Sequence, residues 1–437
     1  MVADFSIAPD ILKNSGNGFL RKSNTLFINL LIIVLLQFSI LSKANANSVV
    51  IDPKAQEYYD KGIEKAGQGN HKEAVTNFTS ALTIQPDFEA ALLNRAVSNE
   101  KLGNDFQAIL DLDKLIQINR QNTDYYMFRA KMKSKVGLDD EAITDYTKIL
   151  MINSKIYEAR YERALLYYVS GMYQEALEDF RKCADQKPSA EIYYTAGLME
   201  QKLGMDEAAI QFLSLSIEAD KTFRKSYLLR GKCKIRLGKY SDALTDLDQV
   251  TLADTGNAEA FFHKGIAYHY LKDYNKAILN FDRAIRLTPS EYQFYYSRSI
   301  TRQSMGNLVA AVEDLGKCIE LEPEKMDNYL TRGMAFEKLK RLNEAEADFT
   351  KYIELNPGNF SIYQKRAEVR YALQNFKGAI EDFDKVLELK PSIAMAYYNR
   401  GMAKFNLNNR EDACKDFEKS NELGYNQGYQ VMKKNCE

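Results

Sequence analysis

The chain contains no tryptophan, 8 prolines in 437 residues, three histidines and five cysteines, and its formal net charge is −1. Each scarcity excludes something. A face that tracks nucleic acid needs an excess of lysine and arginine, whereas this sequence, without its first 46 residues, holds 55 basic against 58 acidic groups. Nucleic acid is therefore not an expected partner. His71, His263 and His269 do not make a metal site: the last two lie six apart, off a common helical face, and no HExxH or CxxC spacing occurs. They read as surface or groove residues. No GxSxG elbow, glycine-rich phosphate loop or dinucleotide fingerprint is present. The expectation is a non-enzymatic protein without metal or cofactor. Among the thiols, Cys183, Cys233, Cys318 and Cys414 fall at small or apolar positions and read as buried hydrophobes. Cys436, near the end, either reacts or pairs with Cys414.

What is abundant is repetition. From Phe360 to Pro391, apolar residues recur at helical spacing in two runs, Ile362 to Leu373 and Ala379 to Leu389, separated by the polar stretch Gln374 to Lys377 and closed by proline. That predicts two antiparallel helices and a stop. An alanine opening the second helix recurs at Ala74, Ala108, Ala142, Ala176, Ala209, Ala243, Ala277, Ala311, Ala345, Ala379 and Ala413. The spacing is constant but for one step, Ala176 to Ala209, which is shorter by a single place. Twelve places before each alanine stands a small residue (Gly62, Ala96 and Gly333, for example), four places after it a bulky one (Phe78, Leu112, Phe349), and proline closes six units. Two helices that cross closely need small side chains at the crossing and a large one beside it. This period, about 34 residues, and these positions resemble the tetratricopeptide repeat, from about residue 55 to 427. The resemblance implies an all-α, right-handed α-solenoid in which stacking buries the face that one hairpin leaves bare.

The ends do not share the repeat. Arg21 and Lys22, the apolar run Leu26 to Leu41 and the sequence Ala44-Asn45-Ala46 make residues 1–46 an expected export signal, cleaved after Ala46. An uncleaved membrane anchor is the alternative, although the run is short for a span. Residues 47–54 are a leader, eleven repeats fill 55–427, and 428–437 form an expected capping tail. No linker rich in proline, glycine or serine interrupts the repeats, so no internal domain boundary is expected.

The repeats also align with one another. Arg95, Arg129, Arg163, Arg230, Arg298, Arg332, Arg366 and Arg400 each have an aspartate 16 places on, from Asp111 to Asp416. Lys61 and Lys264 have Asn77 and Asn280 there instead, and Ala196 has Phe212. Joint change predicts contact across each hairpin, with the arginines held as a register lock and not offered as a docking row. The family resemblance implies a concave groove lined by the first helices, and the side chains aimed there are Tyr59, Leu93, Met127, Tyr161, Tyr194, Leu228, Phe262, Tyr296, Leu330, Gln364 and Tyr398. Four places on come Ile63, Met334 and Glu368, among others. Such a stripe either packs against the neighbouring repeat or, exposed, suits a peptide anchored by apolar side chains. Chaperone-binding members use Lys at the groove place and Asn four later. This chain has neither, and only Asn94 and Asn399 match a third clamp position. The expected function is an exported scaffold for a protein or peptide partner. The alternatives are a self-associating or spacer array in the cell envelope and a non-catalytic, substrate-presenting subunit.

Overall fold

The computed structural model describes residues 50–425 together with 427, 430, 431 and 436. The expected export signal lies outside the described residues, as does most of the capping tail. Among the described residues there are 22 helices and no strand. They alternate as expected. The first helix of a repeat has 13 residues, or 15 in the first repeat, and the second has 14, or 13 in the last. Helices this short are marginal in isolation. Their stability therefore comes from packing, within each compact unit, of each helix against the next in sequence.

The helix ends follow from local chemistry. Asn70, Asn122, Asn257, Asp273, Asn307, Asn375 and Asn409 each accept a hydrogen bond from a backbone N–H of the helix they open. Second helices end at Ile84, Gln186, Leu287, Leu321, Leu355 and Leu389, two residues before Pro86, Pro188, Pro289, Pro323, Pro357 and Pro391. At several crossings a glycine faces an aromatic ring. A Cβ added to Gly62 or Gly265 would stand 2.5 Å from the ring of Phe78 or Phe281, so a larger residue there would require the ring to shift.

The described residues fall into two compact units. The first, up to Lys221, holds five repeats, with cores around Ala96, Leu112 and Tyr146 and around Ala176, Phe180 and Met199. The second, from Thr222, holds six repeats, with cores around Leu247, Phe262 and Phe281 and around Phe349, Phe383 and Val386. In both units some first helices of successive repeats touch directly: Pro53–Gly67 with Glu89–Lys101, and Ala258–Tyr270 with both Arg224–Arg236 and Tyr292–Ser304. No described helix is long and apolar enough to cross a membrane.

One periodic signal lies in the turn between the paired helices. The residue with left-handed backbone is glycine in seven repeats, from Gly69 to Gly306, but Lys272, Lys340, Gln374 and Asn408 in the other four, at φ of 60–61°. An L-residue is disfavoured there and glycine is not. Lys340→Gly is expected to stabilise the protein by about 0.5–1 kcal/mol, and Gly306→Lys to destabilise it comparably. Denaturant midpoints of the two variants measure this; a Lys340→Gly midpoint at or below the parent would contradict it.

Candidate functional site

The arginine row is engaged. In all eight repeats Nε donates to Oδ2 of the aspartate 16 residues on, at 2.8–3.0 Å, and Nη2 donates to Oδ1, at 2.5–2.9 Å. The aspartate side chains are only 2–6% exposed. A third arm recurs along the row. Nη1 of Arg95, Arg129, Arg163, Arg298, Arg366 and Arg400 donates to Thr79, Asp113, Thr147, Asp282, Thr350 and Asp384, each 16 residues back on the preceding repeat. Several aspartates hold a second cation: Lys133 lies 3.2 Å from Asp145, Arg302 2.8 Å from Asp314 and Lys404 2.8 Å from Asp416. Guanidinium groups bound on three sides have little left for a ligand.

The exceptional repeats solve the same problem differently. A lysine is a point charge with no fork. Lys264 reaches back to Asp248 on the preceding repeat, at 2.6 Å, while Asn280 donates to the carbonyl of Lys276 on its own helix. Lys61 pairs with Glu57 and Asn77 donates to the Glu73 carbonyl. Where Ala196 stands, the Phe212 ring lies under the Arg181 guanidinium, and Arg181 bonds the buried Glu200.

The aromatic row of the first helices is half core and half surface. Tyr59 leans on Phe78 and Phe88, with ring centroids 5.8 and 4.9 Å away, and its hydroxyl accepts from Asn94. Tyr161 meets Phe180 edge-on at 6.0 Å and stacks on Tyr157. Tyr398 sits between Phe417 and Tyr425. The pattern is common to them: the ring packs on the bulky residue of its own second helix. Phe262 goes furthest. At 4% exposure, against Phe281 and Phe294, it is core and does not line a groove, because its ring has no polar tip to keep at the surface. Leu93, Met127 and Tyr194 in the first unit and Leu228, Tyr296, Leu330 and Gln364 in the second are half-buried. Four places on, Ile63 and Met334 are each 39% exposed. Burial pushes the Tyr161 phenol up to about 12, so it stays a neutral donor at physiological pH.

A cleft of about 280 Å³ opens between the first helices of the tenth and eleventh repeats, Phe360–Ala372 and Ala394–Asn406, lined by Glu368, Tyr371, Phe383, Tyr398, Asn399 and Met402. Elsewhere the titratable groups offer little chemistry. Burial pushes the Cys183 and Cys318 thiols up to about 12, which makes them poor nucleophiles. His263, expected at the surface or in the groove, is instead core. It is 5% exposed, and burial holds its imidazole below the usual range. His269 is half-buried beside Thr301, 2.9 Å from its hydroxyl. Cys414 and Cys436 form a disulfide across 22 residues. No cluster of metal-ligating side chains exists among the described residues.

Tetratricopeptide repeat models match residues 90–121, 157–189, 190–223, 258–291, 292–325, 327–359 and 365–420, together more than half of the chain. The chain belongs to the tetratricopeptide-repeat family. Its paired helices and their period make it an α-solenoid, a protein-interaction scaffold by family. Similar solved structures include YrrB, described as a TPR protein with an unusual peptide-binding site, 26% identical over 45% of this chain and 97% of its own, TM-score 0.39. MamA is 28% identical over 38% of this chain and 92% of its own, TM-score 0.37. The C-terminal part of a TPR repeat-containing protein from Cytophaga hutchinsonii is 21% identical over 55% and 98%, TM-score 0.47. No curated protein matches the chain.

One arginine tests the third arm. Sixteen residues before Arg332 stands Gly316, whose missing Cβ would lie 3.7 Å from Nη1. Gly316→Ala is expected to stabilise by about 0.5–1 kcal/mol through helix propensity alone. Gly316→Asp supplies the absent acceptor and should add a further salt-sensitive gain of about 0.5 kcal/mol over a Gly316→Asn control. Equal midpoints for Asp and Asn in low salt would show that the inter-repeat arm contributes nothing.

Proposed function

We propose that this chain is an exported, non-catalytic scaffold that holds a segment of a partner protein on the first-helix faces of its repeats. The observation that carries the reading is the division of labour between the two charged and apolar rows. Arginines that could have gripped carboxylates are bound within the fold, whereas Ile63 and Met334 remain exposed beside half-buried Tyr59 and Leu330. Apolar anchors beside a polar rim are how such faces gain affinity. The Cys414–Cys436 disulfide suits an oxidising compartment and so supports export, together with the signal-like residues 1–46.

A second reading, assembly of an array through the opposite face, draws on the second helices, where Phe106 is 62%, Met151 75%, Leu252 79% and Leu279 65% exposed. One capture experiment from the native envelope fraction separates the two. Ile63→Glu with Met334→Glu is expected to lose a partner that the parent retains, with unfolding midpoint unchanged, while Phe106→Glu with Leu279→Glu keeps it. The reverse pattern, or recovery of the chain alone in a form lost with the second pair, overturns the groove reading. The N-terminus of the recovered protein is expected at Asn47; recovery with Met1 would contradict cleaved export.

A further inference from the structure

The cleft in the tenth and eleventh repeats has a shape and a charge of its own. We propose that it receives one cationic side chain, lysine or arginine, presented by the partner polypeptide; this rests on the groove reading above and names the chemistry of its ligand. At about 280 Å³ it falls just below the usual range for free small-molecule sites, roughly 300–1,000 Å³, and suits a single side chain. Its walls are fixed before anything binds. Asn406 Nδ2 donates to the Tyr371 hydroxyl at 2.9 Å, and the Tyr371 ring meets Phe376 edge-on at 5.3 Å. Tyr398 is wedged between Phe417 and Tyr425, and Phe383 is buried at 1% exposure. Aromatic faces attract cations, and a preformed wall needs no ordering on binding.

The charge completes the argument. Glu368 is the one acidic lining residue. Gln364 donates to its Oε1 at 3.0 Å, and Lys365 stands 3.6 Å from both Glu368 and Glu337, so two carboxylates share one ammonium. The other cations of these two helices are held elsewhere, Arg366 and Arg370 by Asp382, Arg400 and Lys404 by Asp416. An incoming ammonium or guanidinium finds the Glu368 carboxylate, whose ammonium partner Lys365 is shared with Glu337, and the Tyr371, Tyr398 and Asn399 side chains beside it. An incoming carboxylate finds repulsion.

The full chain with ¹³C-labelled methionine methyls tests this, with Met402 in the cleft as reporter and its resonance assigned by Met402→Leu. Butylammonium, the head and stem of a lysine side chain, is titrated beside 1-pentanol, an uncharged counterpart of similar shape. Saturable movement of the Met402 resonance by butylammonium is expected, weakened about tenfold by Glu368→Gln, with the weaker pentanol response unchanged. Equal responses to both probes, or a Glu368→Gln variant that responds as the parent does, overturn the proposal. The probes do not depend on the partner's identity. No cation response, with partner capture still lost in Ile63→Glu and Met334→Glu, defeats this inference alone; a cation response with capture unaffected supports the cleft and defeats the wider groove reading.

Discussion

The geometry of the guanidinium fork is the constraint that eight of the eleven repeats share. A helical hairpin of two short helices has no intrinsic register, and the residues at its crossing are small, so contact area alone distinguishes poorly between neighbouring alignments. A planar fork that must place Nε and Nη2 on the two oxygens of one buried carboxylate allows a single alignment. Arginines of both units, Arg129 and Arg298 among them, then reach back to the preceding repeat and fix it as well. The same side chain therefore sets the pairing inside a repeat and the stacking between repeats. Its cost is desolvation: burial holds the Asp348 and Asp314 carboxyls above their usual range even beside Arg332 and Arg298. Such pairs are better read as devices for specificity than as large net sources of stability.

With the arginine row bound internally, the first-helix faces are left with apolar edges and isolated polar groups. Tyrosine suits both tasks, since its ring can complete the core while its hydroxyl stays at the surface. The rings of Tyr59 and Tyr161 in the first unit and of Tyr398 in the second complete the core in this way, each residue staying half-buried. Phenylalanine at the equivalent place, Phe262, sinks into the core. Function on such a scaffold depends on departures from the repeat, and Glu368, the one acid in a mostly apolar row that Lys131 and Lys232 also interrupt, is such a departure.

Much of this was legible in the sequence because the repeats form their own alignment. The helix pairs, the small-and-bulky crossings and the eight Arg–Asp contacts all followed from the period. The third arm did not, because its acceptor alternates between threonine and aspartate and is missing at Gly316, which hides the position's role. Nor did the fate of Phe262, since helical spacing alone does not say whether a ring turns toward a groove or lies back on Phe281. The left-handed turn residue was present as a glycine recurring from repeat to repeat, but Lys272, Lys340, Gln374 and Asn408 interrupt it. The sequence left the pairing of Cys436 open, because it says nothing about where a tail folds back. The division of the described residues after Lys221 has no compositional mark at all.

The most direct test of the central claim uses the pair with fewest other partners, Arg332 and Asp348, joined at 2.8 and 2.7 Å. Equilibrium unfolding of Arg332→Met, Asp348→Leu and the double variant gives their coupling. A register device with little net stabilisation predicts that each single change costs about 3 kcal/mol, by stranding its partner, and that the double variant recovers most of it. Small, additive losses would mean that the fork does not set the register.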